Sequence, residues 1–200
     1  MFPLFETIHI ENGVALNLSF HQERVTRTFR DLFPSSGCIL QLASVLRVPG
    51  DFGEGSFRCR LMYNETEWST EFIKYIPRKV TSLKLIRIDE IDYPHKFTNR
   101  NIIDKVFSSK GSADDILIVK NGKLTDTSIA NILFRKEDKW YTPDLPLLEG
   151  TCRARLLNEG IISEKDITIN NFREYSHFML INALNDFDLK RIQPVESIIN

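Results

Sequence analysis

The chain has 200 residues, 42% hydrophobic and 26% charged, with a formal net charge of -1; that length buries one core or two small ones, and its interspersed acids and bases argue against a nucleic-acid or membrane-surface protein, whose basic residues cluster. Cys38, Cys59 and Cys152 show no CxxC pairing, which predicts reduced thiols of a cytoplasmic protein and no zinc site. The N-terminal MFPLFETIHI has no basic region and nowhere do 18 apolar residues run together, so neither a signal peptide nor a membrane span is expected.

Phe5, Ile8 and Ile10 lie in a run of β-branched and aromatic residues followed by Asn12-Gly13, a hairpin signal. From Leu18 to Phe33 the period changes: Val25, Phe29, Leu32 and Phe33 recur at helical spacing, with Ser19 as N-cap and Pro34 as the stop. On that helix His21, Arg24 and Thr28 form a polar stripe, where Arg24 reads as a surface partner for Glu23 or Asp31. CILQLASVLRV predicts a second helix ending at Pro49-Gly50, and three strand-like runs follow, FRCRLMY, EWSTEFIKYI and SLKLIRI. Arg58 and Arg60 share one face of the first, since strand side chains alternate; they meet solvent or the carboxylate of a substrate.

In YPHKFTNR, Tyr93 to Arg100, Lys96 is either a solvated loop lysine or an amine held at the end of a sheet and able to attack a carbonyl. His95 beside it is either solvated or in contact with a ligand. A helix is expected from about Asn99 to Ser108. ILIV, Asn121-Gly122 and LTDT predict a hairpin, and NILF with KWYT another, giving an antiparallel meander. Asp126, at the end of a strand there, has the bland reading of a turn former. Gly150 and Thr151 open a helix that Gly160 closes. Such an opening is an ordinary helix start or an anion site. The tail alternates strand, helix and strand over DITI, FREYSHF and FMLINAL, followed by KRIQPVESI. A change of character near Tyr93 predicts a small N-terminal unit, 1–92, and a larger one, 93–200, with a ligand cleft at the Lys96 loop.

Seven short motifs fall in one order: F-E-T (Phe5 to Thr7), H-x-x-R-V (His21 to Val25), K-x-x-N-R (Lys96 to Arg100), T-D-x-x-x-A-N-x-x-F (Thr125 to Phe134), Y-T-P (Tyr141 to Pro143), G-T-x-R (Gly150 to Arg153) and N-A-L (Asn182 to Leu184). The series resembles the class IV pyridoxal-phosphate enzymes, which include branched-chain and D-amino-acid aminotransferases and aminodeoxychorismate lyase. The resemblance implies an α+β, two-domain fold of the D-amino-acid aminotransferase type. It also implies a small-molecule amino substrate and a homodimer. It makes Lys96 the lysine joined to pyridoxal 5'-phosphate, with Arg24, Gly150, Thr151, Asn182 and Ala183 around the cofactor. Asp126 stands where the family usually has a glutamate against the pyridine nitrogen, and Arg58, Arg60, His95 and Arg100 are left as substrate candidates. Asn99-Arg100 and N-A-L resemble the lyases more than the branched-chain transaminases. The alternatives are an aminotransferase for a D- or branched-chain amino acid and a non-catalytic relative. Family members usually carry a strand pair ahead of F-E-T, so a shortened small domain is expected here.

Overall fold

The computed structural model describes residues 2–200. It contains two compact units, Met1–Pro77 with His95–Asn99, and Arg78–Pro94 with Arg100–Asn200. This differs from the expected division at 92/93. Residues 78–92 carry a strand of the second unit's sheet, and the Lys96 segment hydrogen-bonds to the first strand of the chain.

The first unit begins with β1 (Leu4–Glu11), which returns as β2 (Val14–Ala15). Asn12 and Gly13 between them have φ of 49° and 78°, the left-handed pair that matches strand twist in a two-residue turn. α1 (Leu18–Leu32), α2 (Leu42–Val45), β3 (Ser56–Tyr63) and β4 (Trp68–Lys74) complete the unit. The sheet is antiparallel in the order β2-β1-β3-β4. One face of β1 presents Leu4, Glu6, Ile8 and Ile10, all fully buried, and its apolar members share a core with Val25 and Phe29 of α1 and Leu61 and Tyr63 of β3. Burying a side chain such as Phe29 contributes about 2–3 kcal/mol. The N-cap of α1 is Asn17, in the left-handed region without a side-chain cap bond, and not Ser19; the two-residue link from β2 forces that conformation, which asparagine tolerates. The second expected helix shrinks to one turn. The Gln22 side chain takes over the backbone ahead of it, donating to Leu40 O (2.9 Å) and accepting from Leu42 N (2.8 Å). Because β2 covers only Ile10 and Glu11, the start of β1 has an open edge, which 95–99 fills: Phe5 N donates to Lys96 O (3.0 Å) and Thr98 N to Pro3 O (2.8 Å).

The second unit comprises β5 (Leu83–Arg87), α3 (Asn101–Phe107), β6 (Asp115–Lys120), β7 (Lys123–Thr127), β8 (Asn131–Lys136), β9 (Lys139–Pro143), α4 (Thr151–Asn158), β10 (Ile162–Lys165), β11 (His177–Ile181), β12 (Gln193–Pro194) and β13 (Ile198–Ile199). Its main strand order is β10-β9-β8-β7-β6-β5-β13, with β11 pairing β8 and β12. The expected meander is β6 to β9. Parallel neighbours, β5 on β6, β13 on β5 and β10 on β9, extend it. Two apolar clusters pack it, one around Leu117, Ile132, Phe134 and Phe178, the other around Leu133, Leu156 and Met179. The DITI stretch is not a strand: it makes one bridge, Thr168 to Lys123, while the more polar Ile162–Lys165 pairs with β9. FREYSHF is not a helix either. Phe172 and Tyr175 are both buried, and one 3-10 turn suffices to set residues three apart on the same side.

Among the described residues no helix is long and apolar enough to cross a membrane, and no cluster of three metal-ligating side chains occurs.

Candidate active site

In the first unit the polar stripe of α1 turns inward. Glu6, fully buried, accepts from Arg24 Nε at Oε1 (2.9 Å) and from Arg24 Nη2 at Oε2 (2.5 Å), and His21 Nδ1 lies 2.6 Å from the same Oε2. The expected surface pairing of Arg24 with Glu23 or Asp31 is therefore replaced by a buried fork. Burial alone would raise the Glu6 carboxyl, but Arg24 and His21 outweigh it and hold the group down at about 2. Burial lowers the pKa of His21 although Glu6 pulls the other way, so at neutral pH the ring is uncharged and donates through Nδ1.

Phe5 points to the other side of β1, since it alternates with Glu6. Its ring carries two cations: Lys96 Nζ and Arg60 Cζ each lie 4.8 Å from its centroid. Arg60 stands opposite Thr7 and Arg58 opposite His9 in the β1–β3 register. The Nε atoms of both arginines are buried, with no hydrogen-bond partner among the described residues. Orphaned guanidinium nitrogens, that of Arg60 beside an aromatic ring, are not the fully solvated pair that a surface strand would present. His95 is likewise not a solvated loop residue. It is 8% exposed, with Nδ1 3.4 Å from Thr28 Oγ1, Nε2 3.7 Å from Asp31 Oδ2 and its ring edge-on to Phe97.

In the second unit Asp126 is buried, with a carboxyl pushed up to about 6 by burial against the opposing pull of Leu148 N, Asn131 and Arg153. Asn131 Nδ2 donates to its Oδ1 (2.7 Å) and Leu148 N to its Oδ2 (2.9 Å), which is more than a turn former would need. Gly150 is the N-cap of α4, extended at φ -72° and ψ 144°, and Thr151 is buried. A Cβ on Gly150 would stand 2.0 Å from Asn131 Oδ1, so glycine is required there by contact. By helix geometry the first amides of α4 have no intrahelical acceptor. Gly160, at φ 68°, closes the helix with Gly160 N to Leu157 O (3.1 Å) and Ile161 N to Leu156 O (3.0 Å), the paired bonds of a glycine C-terminus. Asn182 uses Oδ1 on the amides of Leu184 (2.9 Å) and Asn185 (3.0 Å), so Ala183 lies inside a tight turn. Arg100 is engaged structurally, donating to Ser128 O (2.6 Å) and facing Asp104 across 3.8 Å.

Three groups were not among the candidates. Glu6 was signalled by the strand alternation that sets it on the face of Leu4, Ile8 and Ile10. His21 stood in the stripe beside Arg24. Asn131 stands in the T-D-x-x-x-A-N-x-x-F motif, but its contacts carry no local signal, because its partners Leu148 and Gly150 lie 17 and 19 residues on. Taken unit by unit, the chemistry present suits pyridoxal phosphate: the first holds a primary amine and guanidinium groups, the second a buried carboxylate and a helix start.

The amino-transferase class IV family model matches residues 3–198. An uncharacterized protein of Haemophilus influenzae is 39% identical over 186 residues, covering 92% of this chain and 99% of its own length. A Haemophilus somnus structure provisionally named 4-amino-4-deoxychorismate lyase is 37% identical, with a TM-score of 0.87 over 94% of this chain and 98% of the other. A hypothetical aminotransferase from Mycobacterium tuberculosis in its pyridoxal-phosphate-bound form shares the fold, with a TM-score of 0.73 at 15% identity over 92% of this chain and 78% of the other. With its motifs, its fold and a match running almost end to end, the chain belongs to the class IV amino-transferase family of pyridoxal-phosphate enzymes.

Proposed function

We propose that this enzyme is a lyase acting on 4-amino-4-deoxychorismate, from which it releases pyruvate and leaves 4-aminobenzoate for folate synthesis. The observation that carries the reading is the shared ring of Phe5, which sets an amine, Lys96, and an arginine with an orphaned Nε, Arg60, on one side of one strand. An amine that moves protons and a cation that accepts a carboxylate are the two groups such an elimination asks of the protein. The lyase names of the Haemophilus somnus structure and of a Schizosaccharomyces pombe relative, 31% identical over 99 residues covering 44% of this chain and 43% of its own length, point the same way.

The cofactor supplies an electron sink that acidifies the carbon bearing the substrate's amine. In this reading Lys96 would hold the cofactor through its amine and would serve as the base for the proton on that carbon. The carbon–oxygen bond to the pyruvate portion then breaks, and Lys96 returns a proton to the leaving enol carbon. Arg24, fixed by Glu6, and the start of α4 at Thr151 bind the phosphate. Asp126 faces the ring nitrogen, Asn182 and Ala183 line the cofactor, and Arg60 with Arg58 takes a substrate carboxylate. We place the enzyme in the cytoplasm as a homodimer, by resemblance to its family.

The test is an absorption titration with pyridoxal phosphate, followed by borohydride, for wild type and Lys96→Ala. Wild type should gain a band near ~410–420 nm that reduction fixes to the protein, and the variant should not. Pyruvate and 4-aminobenzoate should then form in equal amounts with no keto-acid acceptor added. Amino-group exchange with a keto acid and no pyruvate release would refute the lyase and leave a transaminase.

A further inference from the structure

The geometry points to Asn131 as a positioning residue that couples the carboxylate facing the cofactor's ring nitrogen to the loop that presents the phosphate-binding helix; this rests on the cofactor roles proposed above for Asp126 and Thr151. One buried amide does three things at once. Its Nδ2 donates to Asp126 Oδ1 (2.7 Å) and to Leu148 O (2.9 Å), and its Oδ1 fills the space where a Cβ on Gly150 would be, 2.0 Å away. Leu148 N closes the circuit on Asp126 Oδ2 (2.9 Å). The β7–β8 pairing registers at this same point, Asp126 opposite Asn131.

The arrangement leaves little independent movement to either end. Both Asp126 oxygens are held, one by Asn131 and the other by Leu148 N, so the direction of the carboxylate is fixed. The loop at Leu148 cannot withdraw without breaking two bonds to the Asp126–Asn131 pair. Gly150 cannot carry a side chain while Asn131 is in place, so the start of α4 takes its path from that amide. Aspartate has one methylene fewer than the glutamate usual at this position. Asn131 and Leu148 hold this shorter arm from both sides and so fix its direction.

Two kinds of substitution test the coupling. Asn131→Asp keeps the shape but replaces the donor with an acceptor. In the apoprotein, followed by carboxyl carbon NMR, Asp126 should then titrate at least one unit above its wild-type position as half of a coupled pair, and pyridoxal phosphate should bind at least tenfold more weakly. Gly150→Ala should weaken cofactor binding at least tenfold beside Asn131 but less than threefold beside Asn131→Ala, where the obstructing oxygen is gone. The double variant decides the question even if Asn131→Asp folds poorly. An unmoved Asp126 titration, or an equal penalty for Gly150→Ala in both backgrounds, overturns the coupling. Wild-type affinity in Asn131→Asp overturns it with the cofactor reading intact. Failure of the wild type to bind the cofactor, with the apoprotein titration behaving as described, overturns the cofactor reading and the positioning role built on it.

Discussion

Replacing Glu6 by glutamine removes the one charge that satisfies both Arg24 and His21, with almost no change of shape. In the folded protein the Glu6 carboxyl is held at about 2 against a normal 4.5, which at 1.36 kcal/mol per unit makes its ionised form worth about 3 kcal/mol to the fold. A glutamine oxygen in the place of Oε2 can still accept from Arg24 Nη2 and His21, but its amide nitrogen then meets Arg24 Nε donor to donor, and the counter-charge is gone. Breaking a buried ion pair by removing one of its charges costs roughly 3–5 kcal/mol. Urea unfolding of the apoprotein at pH 7 should therefore find Glu6→Gln less stable by about 3 kcal/mol or more. The sign of the pH dependence follows from a depressed carboxylate: its contribution is complete above 4.5 and is lost as pH falls toward 2. The gap between wild type and variant should accordingly shrink by about 2 kcal/mol between pH 5 and pH 3. A gap under about 1 kcal/mol at pH 7, or one unchanged at pH 3, would refute the account of this fork.

Two further predictions concern the residues that serve ligands. Arg60→Ala should raise KM for the dicarboxylate substrate by roughly 10–100-fold with the cofactor band unchanged, because Arg60 is assigned to the substrate; a loss of cofactor absorbance instead would contradict that assignment. Burial raises Asp126 to about 6, so lowering the pH protonates the group that should face the pyridinium, and titrations should show cofactor affinity falling by up to tenfold per unit below about 6. The same raised pKa acts oppositely on the apoprotein, whose stability should gain up to about 3 kcal/mol from this group as pH falls from 7 to below 4.

What the sequence made legible and what it hid divide along physical lines. Asn12-Gly13 and Asn121-Gly122 demand left-handed backbone, and Gly160 does the same at a helix end, so both turns and the stop of α4 follow from a few adjacent residues. The motifs carrying Lys96, Arg24 and Gly150 likewise stand in short local windows. The polar stripe of α1 gives no sign in the sequence of facing inward, because histidine, arginine and threonine usually face water. What turns that stripe inward is a single acid on β1, placed among Leu4, Ile8 and Ile10 by a period of two. Recognising it requires joining a strand pattern to a helix pattern across the turn between them. Asn131 is harder still: nothing near it predicts that its amide displaces a side chain at Gly150, because that contact exists only once β8 and the loop before α4 have met. The lengths of α2 and of the FREYSHF segment were missed for a related reason. In both places backbone groups or rings find partners elsewhere, Gln22 in one case and a shared core around Phe172 and Tyr175 in the other, and a helix is no longer the cheapest way to satisfy them. Chemistry carried by residue type and local spacing was therefore visible in the sequence, whereas the geometry that aims it is set by contacts between residues far apart in the chain, and Glu6 and Asn131 are where that difference lies.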